Sequence, residues 1–543
     1  FGLTMAVAVG ISLLNALTLS PALCALLLKN NGNQGGFANI VRKAYNASYG
    51  ALLNKYSSGI KFMIRKRWIS WTVLACTLVL AVLLMKTTKT GLVPEEDTGM
   101  LFASISTSVG NSLTTTDKIV SRIEDIVKKY PEINSYSKVI GATMGGSNGS
   151  SSAMLIMQLK NWNQRKGKGH SAQDVMKRMN MDMASIKDAQ VFVMAPSMID
   201  GYGQGNAIEL YVQDKKGGDI NKFNEVAQKF FAALNKRPEI MAAFSQFKVN
   251  NPQYVVNIDA AKCLRAGISP SDVLDVLSGY YGSIYASNIN RFSKVYRVVI
   301  QADPQYRLDP SSLDQVYVRN GSEMAPISNY LTLTKTYGPS SLTRFNLFNA
   351  ISANVSVANG YSSGEAIKAI SEVAKEVLPE GYGYEYGGMS REQSSSSNTV
   401  LIFIVCIVLV YLVLCSLYES FLIPFAVIFS VPFGILGCFL FAKLTGTENN
   451  IYLQTGMIMI IGLLAKTAIL ITEYATSRRK QGMSIEEAAF SAAKVRLRPI
   501  LMTVLTLIFG MLPLLYASGA GANGDHSLVT GIIGGMTIVT IAL

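Results

Sequence analysis

Seven long apolar stretches constrain what this chain can fold into more than any other feature of its sequence. A helix needs roughly 20 apolar residues to cross the hydrocarbon core of a bilayer. Of the 543 residues 15% are charged, against about a quarter in an ordinary soluble protein. The pattern predicts a polytopic α-helical membrane protein. The expected membrane segments are 3–28, 69–87, 399–418, 421–444, 451–474, 499–517 and 527–543.

Two short stretches beside these segments hold most of the net charge of +14. Residues 29–68 carry eight lysines and arginines and no acid, and residues 475–498 carry six against two glutamates. Short basic loops stay in the cytoplasm. We therefore expect a cytoplasmic amphipathic connection over 29–68, with surface-lying helices at Phe37–Ile60 and Ser484–Val495. Residues 88–398 then lie outside as one large domain, and the positive charge does not require a nucleic-acid partner.

The outer domain alternates strand and helix patterns, which predicts an α+β fold. Between residues 100 and 195 the order is β-α-β-β-α-β, typical of a ferredoxin-like sandwich. A second such unit begins near residue 207, and an insertion at 251–344 displaces its second half to 350–386. The glycine- and serine-rich run Gly145–Ser152 predicts a mobile loop.

Lys466 lies in the middle of the apolar segment 451–474, where an ionisable side chain is costly and indicates function. The alternative is a static ion pair with an acid on another helix. The seven segments contain no aspartate or glutamate at mid-membrane depth. We therefore expect a buried Lys466 that is either neutral or paired with an acid supplied by polypeptide outside this chain.

Arg496 and Thr503 are two helical turns apart and therefore share one helix face. Arg498 is expected to be an interfacial anchor, and Arg496 is either a second anchor or part of a polar path with Thr503. Pro499 is expected in the first turn of the segment 499–517, where its missing N–H does no harm.

Other chemistry is poorly represented in the sequence. There is no P-loop motif and no C-x-x-C, and the chain has two histidines, so neither an enzyme nor a histidine-built metal site is expected. We expect no cofactor. A run of methionines has the helical spacing of core packing, with a soft-metal site as the alternative. It consists of Met176, Met179, Met181 and Met183.

The chain resembles the resistance-nodulation-division (RND) superfamily, specifically the multidrug efflux pumps of the AcrB type. The resemblance covers the whole chain and is specific because five phrases occur together. They are Leu19–Cys24, Gly91–Gly99, Ile423–Gly437, Gly462–Tyr474 and Arg496–Thr503. Such pumps have twelve membrane helices in two halves, and this chain resembles the C-terminal half. Both ends, Phe1 and Leu543, lie in apolar runs, so we expect part of a longer protein.

The resemblance also implies a domain organisation. In chain order it gives the sixth membrane helix of the family at 1–28, the cytoplasmic connection at 29–68, a membrane helix at 69–87, a porter subdomain at 92–202, a second porter subdomain at 203–250 and 345–395, a docking subdomain at 251–344, and a bundle of five helices, the last truncated, at 399–543. It further implies a proton-driven antiporter in the inner membrane of a Gram-negative cell, with a large periplasmic domain. The partners would be a periplasmic adaptor (membrane fusion) protein, an outer-membrane channel, two further copies in a homotrimer, membrane lipid and amphiphilic substrates.

Residue by residue, Lys466 matches the lysine of the family's proton relay, while Arg496 and Thr503 match polar residues that join it. The acids of the relay would lie in the half of the protein not present here. Thr467 stands where multidrug pumps commonly have asparagine. The phenylalanines of the family's drug pocket are missing, so the resemblance does not define the substrate range. The remaining candidates are Val139, Met144 and Ile156 for the pocket lining and Gly141, Gly145, Gly146 and Gly149 for a switch loop.

Two alternatives remain open at this point. A heavy-metal exporter of the same superfamily should show methionines converging on the cleft between the porter subdomains. A non-transporting accessory membrane protein should lack the insertion at 251–344.

Overall fold

The computed structural model has long helices at both ends of the chain and mixed helices and strands between them. It describes residues 2–27, 37–142, 148–167, 169–199, 202, 207–339, 341–358, 360–395 and 399–542. In chain order the helices are α1 Gly2–Leu17, α2 Leu19–Leu27, α3 Phe37–Arg65, α4 Arg67–Thr87, α5 Leu113–Val127, α6 Ala172–Met183, α7 Ile220–Leu234, α8 Ala260–Arg265, α9 Pro270–Leu277, α10 Ser363–Val377, α11 Gly388–Ser395, α12 Thr399–Tyr418, α13 Ile423–Ile428, α14 Val431–Thr445, α15 Ile451–Lys480, α16 Ile485–Leu515 and α17 Ala522–Ala542.

The strands of the described residues lie between α4 and α12. They are β1 Met100–Thr107, β2 Ile133–Ala142, β3 Asn148–Leu159, β4 Ala189–Met194, β5 Ile208–Asp214, β6 Ile240–Phe244, β7 Asn251–Ile258, β8 Ile284–Arg291, β9 Lys294–Ile300, β10 Tyr317–Asn320, β11 Glu323–Pro326, β12 Leu331–Gly338, β13 Thr343–Phe345, β14 Phe348–Val357 and β15 Tyr382–Tyr386.

Seven helical segments within the described ranges are long and apolar enough to cross a membrane. They match the apolar stretches of the sequence in number and position. One segment joins α1 with α2, another joins α13 with α14, and the others are α4, α12, α15, α16 and α17.

One expectation about these helices is wrong. Ser484–Val495 is not a separate surface helix, because α16 continues without interruption from Ile485 to Leu515. Pro499 therefore lies inside the helix and not in its first turn. A proline at this position removes one hydrogen bond of the helix ladder and does not have to end the helix. The basic residues Arg496 and Arg498 consequently sit within a membrane-length helix.

The predicted amphipathic helix at Phe37–Ile60 is present as α3, which packs beside the first half of α16. The guanidinium carbon of Arg498 lies 5.4 Å from the ring centre of Tyr45. The ammonium of Lys61 lies 5.0 Å from the ring centre of Phe490. These cation–π contacts let basic side chains hold two helices together without a matching acid.

The first αβ unit, which we define as Met100–Met194, has four antiparallel strands in the order β2-β3-β1-β4. This is the strand order of the split β-α-β fold expected from the sequence. Its alternating residues Leu101, Leu155 and Met157 point into a buried core with α5 and α6. The other face of the sheet is free of helices of its own unit.

The second αβ unit comes from two separated stretches of chain. β5 lies between β14 and β15, and β14 also pairs with β6. With α7 and α10 this repeats the topology of the first unit, as the displaced second half in the sequence suggested. Its core includes Phe223, Phe230 and Ile370.

The insertion between the two halves of the second unit starts and ends as one antiparallel ladder of β7 with β12. It has a buried core of its own, which includes Cys263, Val273 and Ile327. The hairpin of β8 and β9 extends from it with almost every residue exposed.

The methionine run is mainly core packing. Met179 and Met183 are buried in the first αβ unit, and Met176 packs against the same core. Met181 points the other way and is 74% exposed. Because the sulfurs are divided between core and surface, they do not converge on one metal site.

Helices α14 and α17 approach each other closely through glycines. A methyl group added at Gly437 would lie 2.7 Å from the Cα of Gly535, and one added at Gly534 would lie 2.6 Å from the carbonyl oxygen of Gly437. Small residues let membrane helices come into backbone contact, which strengthens van der Waals packing. Around this contact lies the bundle core, with Phe439, Leu464 and Ile532 buried.

Gly437→Ala is therefore expected to destabilise the bundle, since overpacking of this kind costs about 1–3 kcal/mol. Gly510→Ala in α16 is the matched control, because a methyl there would meet nothing within 4 Å and alanine favours a helix interior over glycine. In detergent, the first variant should unfold at a lower temperature than the parent protein and the control at the same temperature or higher. Equal unfolding temperatures for both variants would contradict the close contact.

Candidate functional site

Lys466 occupies a face of α15 that the other described helices leave uncovered. Its side chain is exposed, while Ala465 and Thr467 beside it are buried. The helices that pack on α15 cover its other faces, so the expectation that a partner for Lys466 comes from polypeptide outside this chain stays a prediction. Among the described residues no acid and no hydrogen-bond acceptor reaches the ammonium. The Thr467 hydroxyl donates to the carbonyl of Leu463 at 3.2 Å, inside its own helix.

Arg496 on α16 packs against an aromatic ring of α15. Its guanidinium carbon lies 5.0 Å from the ring centre of Tyr474. Arg478 shares the ring, since its guanidinium carbon lies 5.1 Å from the same centre and its Nη2 donates to the Tyr474 hydroxyl at 2.6 Å. The Nε of Arg496 is buried and has no hydrogen-bond partner among the described atoms. Two cations thus share one ring, and one of them keeps a donor unused.

The structure does not bring Arg496 next to Lys466. With a rise of about 1.5 Å per residue, Lys466 lies roughly 12 Å along α15 from Tyr474. Because α15 and α16 are antiparallel neighbours joined by four residues, Thr503 lies at about the level of Lys466. The Thr503 hydroxyl donates to the carbonyl of Ile500 at 2.9 Å. Lys466 and Thr503 are therefore close in level, and Arg496 lies two turns away from both.

A cleft of about 280 Å³ lies where the first αβ unit meets the stretch after β6 of the second unit and the start of β7 in the insertion. The units contact each other beside it through several bonds. Gln246 Nε2 donates to Ser104 Oγ at 2.5 Å, and Lys248 Nζ donates to Ser106 Oγ and the Thr107 carbonyl, both at 3.0 Å. The cleft is lined by Ser106, Val109, Gly110, Gly149, Ser150, Ser151, Ser152, Gln246, Lys248, Asn251, Pro252 and Gln253.

Lys248 is the charged residue of this cleft lining. Burial lowers its pKa below the usual value for lysine. Its bonds go to neutral oxygens, and no carboxylate among the described residues pairs with it. A half-buried ammonium without a carboxylate partner attracts an anion, so the cleft favours a ligand with negative charge or with hydrogen-bond acceptors.

The candidate pocket residues Val139 and Ile156 lie on the sheet face of the first αβ unit that its helices leave open. Val139 pairs with Met154, and Ile156 pairs with Ser137, which places both on one face. On the same face Phe192 meets Phe244 of the second unit, with ring centres 4.2 Å apart. Neither Val139 nor Ile156 lines the cleft. Met144 lies outside the described residues.

Two of the four glycines expected in the switch loop lie in strands. Gly141 belongs to β2 with a φ of +92°, and Gly149 belongs to β3. Gly149–Ser152 are therefore strand residues and not a mobile loop, because the pairing of β2 with β3 extends to Asn148. Gly145 and Gly146 lie outside the described residues. Of the two described candidates, Gly149 lines the cleft and Gly141 does not.

Comparison with known proteins agrees with this architecture. The model of the AcrB/AcrD/AcrF family matches residues 1–543. The chain is 34% identical to the multidrug/solvent efflux pump membrane transporter MepB and to the toluene efflux pump membrane transporter TtgB, both of Pseudomonas putida, over 100% of this chain and 52% of each relative. It is 31% identical to the multidrug resistance protein MdtF of Escherichia coli, over 100% of this chain and 53% of that protein.

The chain belongs to the AcrB/AcrD/AcrF family. The RND resemblance found in the sequence is thereby confirmed. The chain spans about half the length of these relatives. The described residues form the membrane-length helices and the sheet-rich units of a membrane protein of this family.

Sequence reasoning missed Tyr474, Arg478 and Lys248. The first two stand four residues apart on α15, a spacing at which side chains of a helix meet, so their pairing was detectable. Lys248 had no such signal, because its partners Ser106 and Thr107 lie about 140 positions earlier in the chain.

Arg496→Lys is expected to lower the unfolding temperature although it keeps the positive charge, because lysine lacks the flat guanidinium that lies against Tyr474. A cation–π contact contributes about 0.5–2 kcal/mol. The matched control is Arg479→Lys, since Arg479 is exposed. Thermal unfolding in detergent should show a lower midpoint for the first variant and an unchanged midpoint for the control. A fall of equal size in both variants would show that the contact with Tyr474 is not what stabilises this region.

Proposed function

We propose that this chain is the C-terminal part of a proton-driven efflux pump, an antiporter that exports drugs and other amphiphilic compounds across the inner membrane. The observation that carries the proposal is Lys466, an ammonium on a membrane-length helix with no acid in reach among the described residues. A cation in that position needs a counter-ion. Because the chain spans about half the length of its relatives, we place the acids of the relay in the remainder.

The names of the relatives support the class of substrate. MepB and TtgB are named as efflux pumps for multiple drugs, solvents and toluene, which are apolar or amphiphilic compounds, and MdtF is named as a multidrug resistance protein. The open sheet face of the first αβ unit, with Val139, Ile156 and the Phe192–Phe244 contact, offers an apolar surface for such compounds next to the polar cleft.

The proposed mechanism starts at Lys466. Protonation of the acids outside this chain releases their hold on its ammonium, and the membrane helices then shift. Thr503 stands at the level of Lys466, and Arg496, with its unused buried donor, supplies a polar group further along the same path. The shift reaches the αβ units, which open and close the cleft between them. No enzyme chemistry is required, because the driving force is the proton gradient.

The orientation of the pump is argued from charge, and its location and partners from the family resemblance. The basic stretch 29–68 and the junction of α15 with α16 belong in the cytoplasm, which puts the αβ units on the other side of the membrane, and the resemblance implies that this is the periplasm of a Gram-negative cell. We assign the porter subdomains to 92–202 and to 203–250 with 345–395. The insertion at 251–344, with its own core and exposed hairpin, is the docking subdomain. Its partners are a periplasmic adaptor and an outer-membrane channel, and the pump is a homotrimer.

The two alternatives are less well supported. A heavy-metal pump requires sulfurs that converge on the cleft, whereas Met179 and Met183 are in the core and Met181 is on the opposite side. An accessory protein without transport would need no insertion, and 251–344 forms a folded one.

Lys466→Ala in the complete protein is expected to abolish proton-driven efflux, because an uncharged side chain cannot respond to protonation of the acids. Dye efflux from cells or proteoliposomes under a pH gradient measures this. Lys480→Ala is the matched control, since Lys480 is an exposed lysine at the end of the same helix. Full efflux by the Lys466 variant would contradict the proposed coupling.

Lys248→Met is expected to reduce the export of anionic amphiphiles about tenfold, since a hydrogen bond to a charged group contributes about 1.5–3 kcal/mol. Export of cationic amphiphiles of similar size should change little. Lys222→Met, at an exposed lysine of α7, is the control. Equal losses for both substrate charges would show that Lys248 only supports the contact between the αβ units.

A further inference from the structure

The segment from α4 to β1, residues 88–99, binds the first turns of four different helices. We call this segment the connector. It has no regular secondary structure apart from one isolated bridge, between Thr90 and Asn449. The first turn of a helix has backbone N–H groups without partners inside the helix and carries a partial positive charge. The oxygens of the connector satisfy such N–H groups on two membrane-length helices and on one helix of each αβ unit.

On the membrane side the connector binds α15 and α17. The N–H of Ile451, the first residue of α15, donates to the Leu92 carbonyl at 3.0 Å. The carboxylate of Glu96 accepts from Asn523 N at 3.0 Å and from Gly524 N at 2.6 Å, both in the first turn of α17. Glu96 is 6% exposed, so water competes little for these charge-assisted bonds.

On the other side the connector binds α10 and α6. The N–H of Gly364 donates to the Thr90 carbonyl at 3.1 Å, and the N–H of Ala172 donates to Asp97 Oδ2 at 2.9 Å. Arg165 adds a bidentate pair to Asp97 at 2.9 and 3.0 Å, and its side chain is 2% exposed. Burial alone would raise the pKa of Asp97, but the bonds from Arg165, Ala172 and Gly99 outweigh it and lower this pKa.

Glu96 and Asp97 are consecutive, so two carboxylates whose Cα atoms are about 3.8 Å apart bind a bundle helix and an αβ-unit helix. The two attachment points can therefore move only a short distance relative to each other. A displacement of α17 along its axis moves Glu96, and Asp97 moves with it. Lys466 lies on α15, which the same connector binds through Leu92.

We propose that the connector is the joint that passes movements of α15 and α17 to the αβ units, with Glu96 and Asp97 as its positioning residues. The inference rests on the proposed function, because it describes how a proton-driven shift of the bundle reaches the cleft. Neither carboxylate needs to bind substrate or take part in the proton path. Their loss should therefore separate proton movement from export.

The test uses the complete protein in proteoliposomes, with dye export and substrate-stimulated proton flow measured in the same vesicles. Glu96→Gln keeps the size of the side chain but presents an amide N–H₂ to one of two N–H donors. We expect dye export to fall about tenfold, the factor that corresponds to loss of one charge-assisted bond, while proton flow falls less than about twofold. Asp97→Asn should give the same separation from the other side of the joint.

Glu225→Gln, at an exposed glutamate of α7, is the control and should leave both flows unchanged. Proportional loss of dye export and proton flow in the Glu96 and Asp97 variants would contradict the proposed role of the connector. Unchanged dye export in these variants would contradict it as well. If Glu96→Gln does not reach the membrane, Asn523→Ala carries the test. It removes the amide bond to the Glu95 carbonyl at 2.5 Å and leaves the backbone N–H in place, so we expect a weaker separation of the same kind.

The same experiment distinguishes this inference from the proposed function. A parent protein that moves no dye under a pH gradient contradicts the efflux proposal itself. A parent protein that does so, with Glu96→Gln and Asp97→Asn behaving like it, overturns only the role of the connector.

Discussion

Helix α17 is the element on which the described bundle depends. Its glycines bring its backbone against α14, and it also packs on α15 and α16. Inside a membrane the hydrophobic effect gives little force between helices, so close packing and hydrogen bonds must hold them together. A helix held this tightly moves with its neighbours. Its first turn, which Glu96 binds, therefore moves together with the rest of the bundle.

The cations of the bundle fall into two groups with different physics. Arg496 and Arg478 are held against Tyr474, and arginine cannot give up its proton, so they are permanent charges in fixed positions. Lys466 meets no partner among the described residues, and a lysine can change its charge state or its partner. Only the second kind of group can respond to a proton that arrives elsewhere. This difference is why the proposed switch lies at Lys466, with Arg496 in a supporting position.

Local patterns in the sequence predicted most of the fold and little of the contact geometry. The apolar stretches predicted the membrane helices. The displaced second half of the second αβ unit could also be predicted, because each of its strands and helices keeps its own periodicity. The continuation of α16 through Pro499 was missed, since hydropathy falls where basic residues begin although the helix does not end. The Lys248 cleft and the bonds of Glu96 join positions far apart in the chain, and no local pattern encodes such contacts. Lys466 was recognised by its cost in an apolar segment, but which face of α15 stays uncovered depends on packing.

The two αβ attachments of the connector belong to different αβ units. Asp97 binds α6 of the first unit, and Thr90 binds α10 of the second. Between them lie Leu92 and Glu96, which bind α15 and α17. A chain segment cannot lengthen beyond about 3.3–3.6 Å per residue. A movement of α15 and α17 relative to the αβ units must therefore rotate the connector or break one of its bonds, and a rotation turns its ends in opposite directions. The two units then move relative to each other, and this movement changes the contact of Lys248 Nζ with Ser106 Oγ, 3.0 Å long, which joins them.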